Sequence, residues 1–150
     1  MSYFSKGDAL LMLEDGTSFN GKAVGVQGVT VGEVVFNTAM TGYQEIMTDP
    51  SYASQIITFT YPEIGNTGVN NHDNESGNVW TSGIIVRDFV ADSSNHRTEK
   101  SFKSFLQQNN VIAILLTIVA ELVNSLTLPL SITEKYRVIG KRIIAETFIK

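Results

Sequence analysis

One stretch decides how this chain folds: Val34-Val-Phe-Asn-Thr-Ala-Met-Thr-Gly-Tyr-Gln-Glu-Ile-Met-Thr-Asp-Pro-Ser-Tyr-Ala-Ser-Gln-Ile-Ile-Thr-Phe-Thr-Tyr-Pro-Glu-Ile-Gly-Asn66. It opens with β-branched and aromatic residues, which indicate the end of a strand. A second run of that kind, Gln55 to Thr60, closes it. The residues between these strands are too polar for a core element and too sparsely charged for a solvated linker. Loops of this type are disproportionately functional.

The middle of the loop carries a helix start. Asp49 is a good N-cap and Pro50 is favoured at the first helical position, so we expect a short helix to begin there. Ser51 then lies in the first turn, where backbone N–H groups are unpaired. Such a start favours an anionic group, and the carboxylate of a ligand is one.

The rest of the chain predicts short strands and one further helix. Ala9 to Leu13 and Ser18 to Ala23 flank an Asp-Gly turn and predict a β-hairpin. Val79 to Val86 and Val111 to Ile114 are further strand candidates. Residues Ser101 to Gln108 place three apolar side chains three and four apart, which predicts an amphipathic helix. Many strands, two short helices and no βαβ repeat together indicate an α+β domain.

Composition excludes several classes of function. The 150 residues are 43% hydrophobic and 17% charged, which is typical of a folded domain. A net charge of −4 with only 11 Lys and Arg argues against binding to nucleic acid or an anionic membrane. The N-terminus does not have the pattern of a secretory signal, so we expect a cytoplasmic protein. The absence of cysteine excludes disulfides, thiolate zinc sites and a thiol nucleophile.

Two groups of polar residues are weaker candidates for chemistry. His72, Asp73 and Glu75 include possible metal ligands, but they fit neither a calcium loop nor a zinc site, so a surface loop is favoured. His96 lacks a nucleophile or an orienting partner nearby in the sequence, which favours a surface residue over a general base. We therefore predict no metal site.

The central stretch also carries a family resemblance. Gly32-Glu-Val-Val-Phe-Asn-Thr-Ala-Met-Thr-Gly-Tyr-Gln-Glu-Ile-Met-Thr-Asp-Pro-Ser-Tyr52, with Thr60-Tyr-Pro-Glu-Ile-Gly-Asn66, resembles the N-terminal domain of the small, glutamine-using subunit of carbamoyl-phosphate synthase. The resemblance runs from about Ala9 to Ile114. It implies a layered β/β/α domain, with two packed sheets and helices on one side. It also implies that Ser51 contacts substrate L-glutamine.

The family's chemistry follows from the same resemblance. The complete enzyme makes carbamoyl phosphate from glutamine, bicarbonate and ATP for arginine and pyrimidine synthesis. Its ATP and metal sites lie on the large subunit, so we expect no cofactor on this chain and the large subunit as its partner. Glutamine is hydrolysed in a separate C-terminal amidotransferase domain with a Cys-His-Glu triad. With no cysteine, this chain is predicted to be a truncated subunit that is inactive alone. The alternative is a non-enzymatic module that only docks on a synthetase large subunit or another partner.

The resemblance covers residues 1–114 and fails over residues 115–150. There the family's Asp-Thr-Arg segment is replaced by an apolar run in which Glu121, Asn124 and Pro129 argue against a membrane span, since a mid-helix acid costs ~2.5 kcal/mol. Our hypothesis is that a frameshift produced this divergent tail. We expect it to pack poorly, and removal of residues 116–150 to leave a folded, more soluble β core.

Overall fold

The computed structural model describes residues 9–90, 98–117, 119, 122 and 142–147. Its strands, in chain order, are β1 Ala9–Leu13, β2 Ser18–Ala23, β3 Gly28–Asn37, β4 Gln55–Phe59, β5 Gly83–Val86, β6 Ile112–Leu115 and β7 Arg142–Thr147. Its helices are α1 Tyr43–Thr48, the 3₁₀ turn Pro50–Tyr52 and α2 Phe102–Gln108. The strands close into a barrel in the order β1-β2-β6-β5-β4-β3-β7.

The α+β class is confirmed, but the expectation that no βαβ unit occurs is wrong. β3, β4, β5 and β6 are neighbours that pair in parallel. Parallel neighbours need a crossover connection. α1 lies on the connection from β3 to β4, and α2 lies on the connection from β5 to β6. Antiparallel pairing joins β1 to β2 and to β7, β2 to β6, and β3 to β7.

Two apolar clusters show how the layers pack. One joins inward side chains of β1, β2, β4, β5 and β6 inside the barrel, including Leu11, Ile56 and Ile85. The other joins β4, β5 and β6 to α1 and α2, including Ile57 and Ile84. Alternate side chains of β4 and β5 lie in the two clusters, so both faces of these strands are buried. Most residues of the two strands are therefore apolar. The helices pack on one side, as expected, but the structure has one closed barrel and not the two packed sheets that the resemblance implied.

Local signals in the sequence locate several elements well. The hairpin β1–β2 has its predicted bounds, and Gly16 in its turn has a φ of 86°, a conformation that favours glycine. Ser101 caps α2, because its hydroxyl accepts the N–H of Ser104 at 3.2 Å. The strand predicted over Val79–Val86 is shorter than expected and begins at Gly83.

Residues beyond 114 contribute to the barrel. β7 pairs with β1 on one side and β3 on the other, so Ile144 lies opposite both Met12 and Val31. Leu116, Val119 and Leu122 are buried in the barrel cluster. The expectation that residues 116–150 are dispensable for folding is therefore revised, whereas their origin in a frameshift stays a prediction. No helix in the described ranges has the length and apolarity needed to cross a membrane.

Candidate functional site

The connection from β3 to β4 folds into α1 and the 3₁₀ turn. α1 follows Gly42, whose φ of 84° is left-handed, and it has no side-chain N-cap. Its buried face contains Tyr43, Met47 and two polar residues, Gln44 and Thr48. Neither a capping residue nor a purely apolar stripe marks this helix in the sequence, so it was not predicted.

The 3₁₀ turn carries the predicted cap. Asp49 Oδ1 accepts the backbone N–H of Ser51 at 2.8 Å, and Pro50 occupies the first position. The backbone N–H of Ser51, followed by its hydroxyl, lowers the pKa of Asp49 from its ordinary value of 3.8. Because the folded pKa is the lower one, the cap stabilises the fold above pH 3.8 and is lost as the pH falls through the folded value.

These contacts correct one step of the expectation for Ser51. Its N–H is already paired with the Asp49 carboxylate, so it is not an open donor for a ligand anion. The side chain of Ser51 is exposed, and a hydroxyl has both donor and acceptor capacity. That hydroxyl also bonds to the Asp49 carboxylate, so what remains for a ligand is the acceptor capacity of its oxygen. Binding of glutamine at Ser51 stays a prediction.

Gln44 ties α1 to the loop that follows β4. This side chain is only 4% exposed. Its Oε1 accepts the N–H of Asn70 at 3.0 Å, while its Nε2 donates to the carbonyl of Asn70 and to Asn74 Oδ1. Tyr43 adds a second tie, since its hydroxyl donates to the carbonyl of Gly68 at 2.7 Å. Burial raises the pKa of Tyr43, so this phenol stays neutral and able to donate.

Thr48 ties the end of α1 to the same loop further along. Its hydroxyl donates to the carbonyl of Gln44 and accepts the N–H of Glu75, both at 2.9 Å. Its carbonyl accepts the hydroxyl of Ser76 at 2.6 Å. The indole N–H of Trp80 in turn donates to Ser76 Oγ at 2.8 Å. Side chains of α1 thus hold the loop of residues 67–80 against the base of the 3₁₀ turn.

A polar cleft of about 250 Å³ lies beside α1. It is bordered by Thr41, Gly42, Tyr43, Gln44, Glu45, Thr67, Gly68, Asn70 and Asp73. Ser51 does not border this cleft, so the predicted site residue and the cleft are separate features. We assign no ligand to the cleft.

The other sequence candidates do not converge. His72 and Glu75 are exposed, and Asp73 Oδ2 accepts Asn70 Nδ2 at 2.6 Å within the loop. Within the described ranges, no three His, Cys, Asp or Glu side chains come together in a group that could hold a metal ion. The absence of a metal site stays a prediction. His96 lies outside the described residues.

Comparisons with known proteins agree with the resemblance. The carbamoyl phosphate synthase small chains of Buchnera aphidicola from Acyrthosiphon pisum and of Pectobacterium atrosepticum are each 58% identical to this chain over 106 residues, which is 71% of its length. The chain spans only 27% and 28% of these two relatives. A solved subtilisin-like protease from Pseudoalteromonas covers 93% of this chain and 32% of its own, at 13% identity and a TM-score of 0.43, which is too low to support an argument.

The family model described as "Carbamoyl-phosphate synthase small chain, CPSase domain" matches residues 11–126. That range contains most of the described barrel, both helices and the 3₁₀ turn. The match extends beyond Ile114, where the resemblance was expected to end. The chain belongs to the carbamoyl-phosphate synthase small chain family.

Proposed function

We propose that this chain serves as the N-terminal part of a cytoplasmic, glutamine-using carbamoyl-phosphate synthase small chain. In the complete assembly, an amidotransferase domain releases ammonia from glutamine, and a large subunit uses the ammonia with bicarbonate and ATP. The observation that carries the proposal is the family match over residues 11–126, which includes the Asp49–Ser51 turn. The relatives are three to four times as long as the matched region, which leaves room for the remaining chemistry elsewhere.

Ser51 is the residue that we assign to glutamine. The Asp49 carboxylate accepts the backbone N–H of Ser51 and also interacts with its hydroxyl, while the side chain stays exposed. Glutamine presents an ammonium and an amide N–H as donors, and the lone pairs of the hydroxyl oxygen can accept from either of them. A hydroxyl fixed on a short turn pays little ordering entropy on binding, which favours this group over a flexible side chain.

The isolated chain is expected to release no ammonia from glutamine. Hydrolysis in this family needs a thiol that forms a thioester, and the sequence contains no cysteine. The measurement is ammonia production by the purified 150-residue chain against a buffer blank. Hydrolysis that follows the chain through successive purification steps would contradict the assignment of the chemistry to another domain.

Replacement Ser51→Ala tests the assigned residue. The chain is joined to the part of the Pectobacterium atrosepticum small chain that lies outside the match and is assayed with a large subunit. The glutamine KM should rise about twofold to tenfold, which corresponds to the loss of one hydrogen bond. Synthesis from free ammonia should be unchanged, since that nitrogen source bypasses the site.

A matched serine provides the control. Ser18 is exposed on β2, in a different element from the turn, and Ser18→Ala should change neither activity. Equal losses with glutamine and with ammonia in the Ser51→Ala protein would show that Ser51 supports the fold and not the substrate.

A further inference from the structure

We propose that Thr48, held in place by Ser76 and Trp80, is a positioning residue that fixes the orientation of the Asp49–Ser51 turn. As a statement about glutamine binding, the inference rests on the proposed function of Ser51. As a statement about the turn, it can be tested on this chain alone.

The first step is the position of Thr48 between two elements. It is the last residue of α1 and directly precedes Asp49, the N-cap of the 3₁₀ turn. Its side chain is 1% exposed, and its hydroxyl both donates to Gln44 and accepts from Glu75. Its carbonyl is held by the hydroxyl of Ser76. The loop of residues 67–80 therefore bonds to both the hydroxyl and the carbonyl oxygen of Thr48, the residue directly before the turn.

The second step is that the backbone of Trp80 hydrogen-bonds to residues on both sides of the turn. Its backbone N–H donates to the carbonyl of Met47 at 2.9 Å, just before Thr48. Its carbonyl accepts the N–H of Ser54 at 3.4 Å, just after the turn. Its indole N–H donates to Ser76, which in turn holds Thr48. One residue thus connects the entry to the turn, its exit and the hydroxyl network of Thr48.

The third step is that the turn has few other ties to the barrel. The hydrogen bonds among residues 49–53 are local: the N–H groups of Ser51, Tyr52 and Ala53 bond within the turn itself. Beyond these, the hydroxyl of Tyr52 accepts from Asn37 Nδ2 at 3.3 Å, and the side chain of Tyr52 packs against the cluster that joins β4, β5 and β6 to the helices. Local bonds keep the shape of the turn but not its direction. The Thr48 network holds the entry to the turn and aims Ser51 together with the Tyr52 contacts, and an error of about 1 Å in aim can cost a site much of its function.

The test is amide hydrogen exchange in the 150-residue chain. Thr48→Val keeps the shape of the side chain and removes the hydroxyl, which leaves the N–H of Glu75 without its acceptor. We expect the Ser54 and Trp80 amides, whose bonds join the two ends of the turn to the loop, to exchange about fivefold to tenfold faster, with β4 and β5 unchanged. Thr48→Ser restores the hydroxyl and should restore slow exchange.

Thr98→Val is the matched control, because its hydroxyl donates to the carbonyl of Thr67, away from the turn. It should leave exchange at Ser54 and Trp80 unchanged. Unchanged exchange at Ser54 and Trp80 in Thr48→Val, or an equal rise throughout β4 and β5, would overturn the inference, since the first shows no positioning and the second shows general destabilisation.

The role in binding is tested in the joined protein. Thr48→Val should raise the glutamine KM about threefold to tenfold, leave kcat and ammonia-driven synthesis unchanged, and be rescued by Thr48→Ser. If Ser51→Ala raises the KM and Thr48→Val does not, the role of Thr48 in binding is overturned. If Ser51→Ala itself has no effect, the proposed function of Ser51 fails, and the exchange measurement alone decides whether Thr48 positions the turn.

Discussion

Removal of residues 116–150 is expected to abolish cooperative unfolding of the chain. Without β7, the facing edges of β1 and β3 lose their pairing and the barrel opens. Leu116, Val119 and Leu122 also leave the core. At about 1.5–3 kcal/mol for each buried side chain, their loss alone costs about 5–9 kcal/mol. That is comparable with the whole stability of a typical domain, about 5–15 kcal/mol.

Urea unfolding followed by circular dichroism measures the loss of cooperativity. Two point variants of the full-length chain show whether it comes from lost core contacts or only from the shorter chain. Leu116→Ala, at a fully buried position, should cost about 2–5 kcal/mol. Met12→Ala, at a position that is 38% exposed, should cost less than about 1.5 kcal/mol. A shortened chain that unfolds cooperatively at the original midpoint would show that the barrel does not need β7.

Gln44→Ala is expected to lower the free energy of unfolding by about 2–4 kcal/mol. The substitution removes the hydrogen-bond partners of the N–H and the carbonyl of Asn70, and it leaves a cavity at the buried position of Gln44. An unsatisfied buried polar group costs about 1–3 kcal/mol, to which the cavity adds. The loss should concentrate in the loop of residues 67–80, whose amides should exchange faster.

The matched control is Gln107→Ala, since Gln107 is exposed on α2. It should change the free energy of unfolding by less than about 0.5 kcal/mol. Thermal or urea unfolding of both variants gives the comparison. If the two substitutions lower the free energy of unfolding equally, the Gln44 bonds contribute no net stability and the loop is held by other contacts.

Elements with local signals were predictable. The Asp-Gly turn, the cap at Asp49 and the amphipathic stripe of α2 each depend on a few neighbouring residues, and each was located correctly. The parallel order of β3 to β6 was missed because its first crossover helix, α1, is short and buries Gln44 and Thr48. The role of β7 was missed because pairing over more than a hundred residues leaves no local pattern.

The candidate site also contains one part that local signals predicted and one part that they did not. Asp49, Pro50 and Ser51 are adjacent, so the turn could be predicted, and the resemblance supplied the assignment of Ser51 to glutamine. The partners of Gln44 and Thr48 lie 26 to 30 residues further along the chain. Buried amides and hydroxyls must find such partners, but a sequence does not show which ones. Polar residues in an otherwise apolar stripe of α1 were the one available signal.

The most direct test of the central claim is the rate of glutamine-driven carbamoyl phosphate synthesis by the joined protein with a large subunit. The reference is the unmatched part of the Pectobacterium atrosepticum small chain, assayed alone with the same large subunit. If this chain is the N-terminal part of a small chain, joining it should raise the glutamine-driven rate well above the reference, while the ammonia-driven rate stays the same. A glutamine-driven rate no higher than the reference, from a folded joined protein, would contradict the claim.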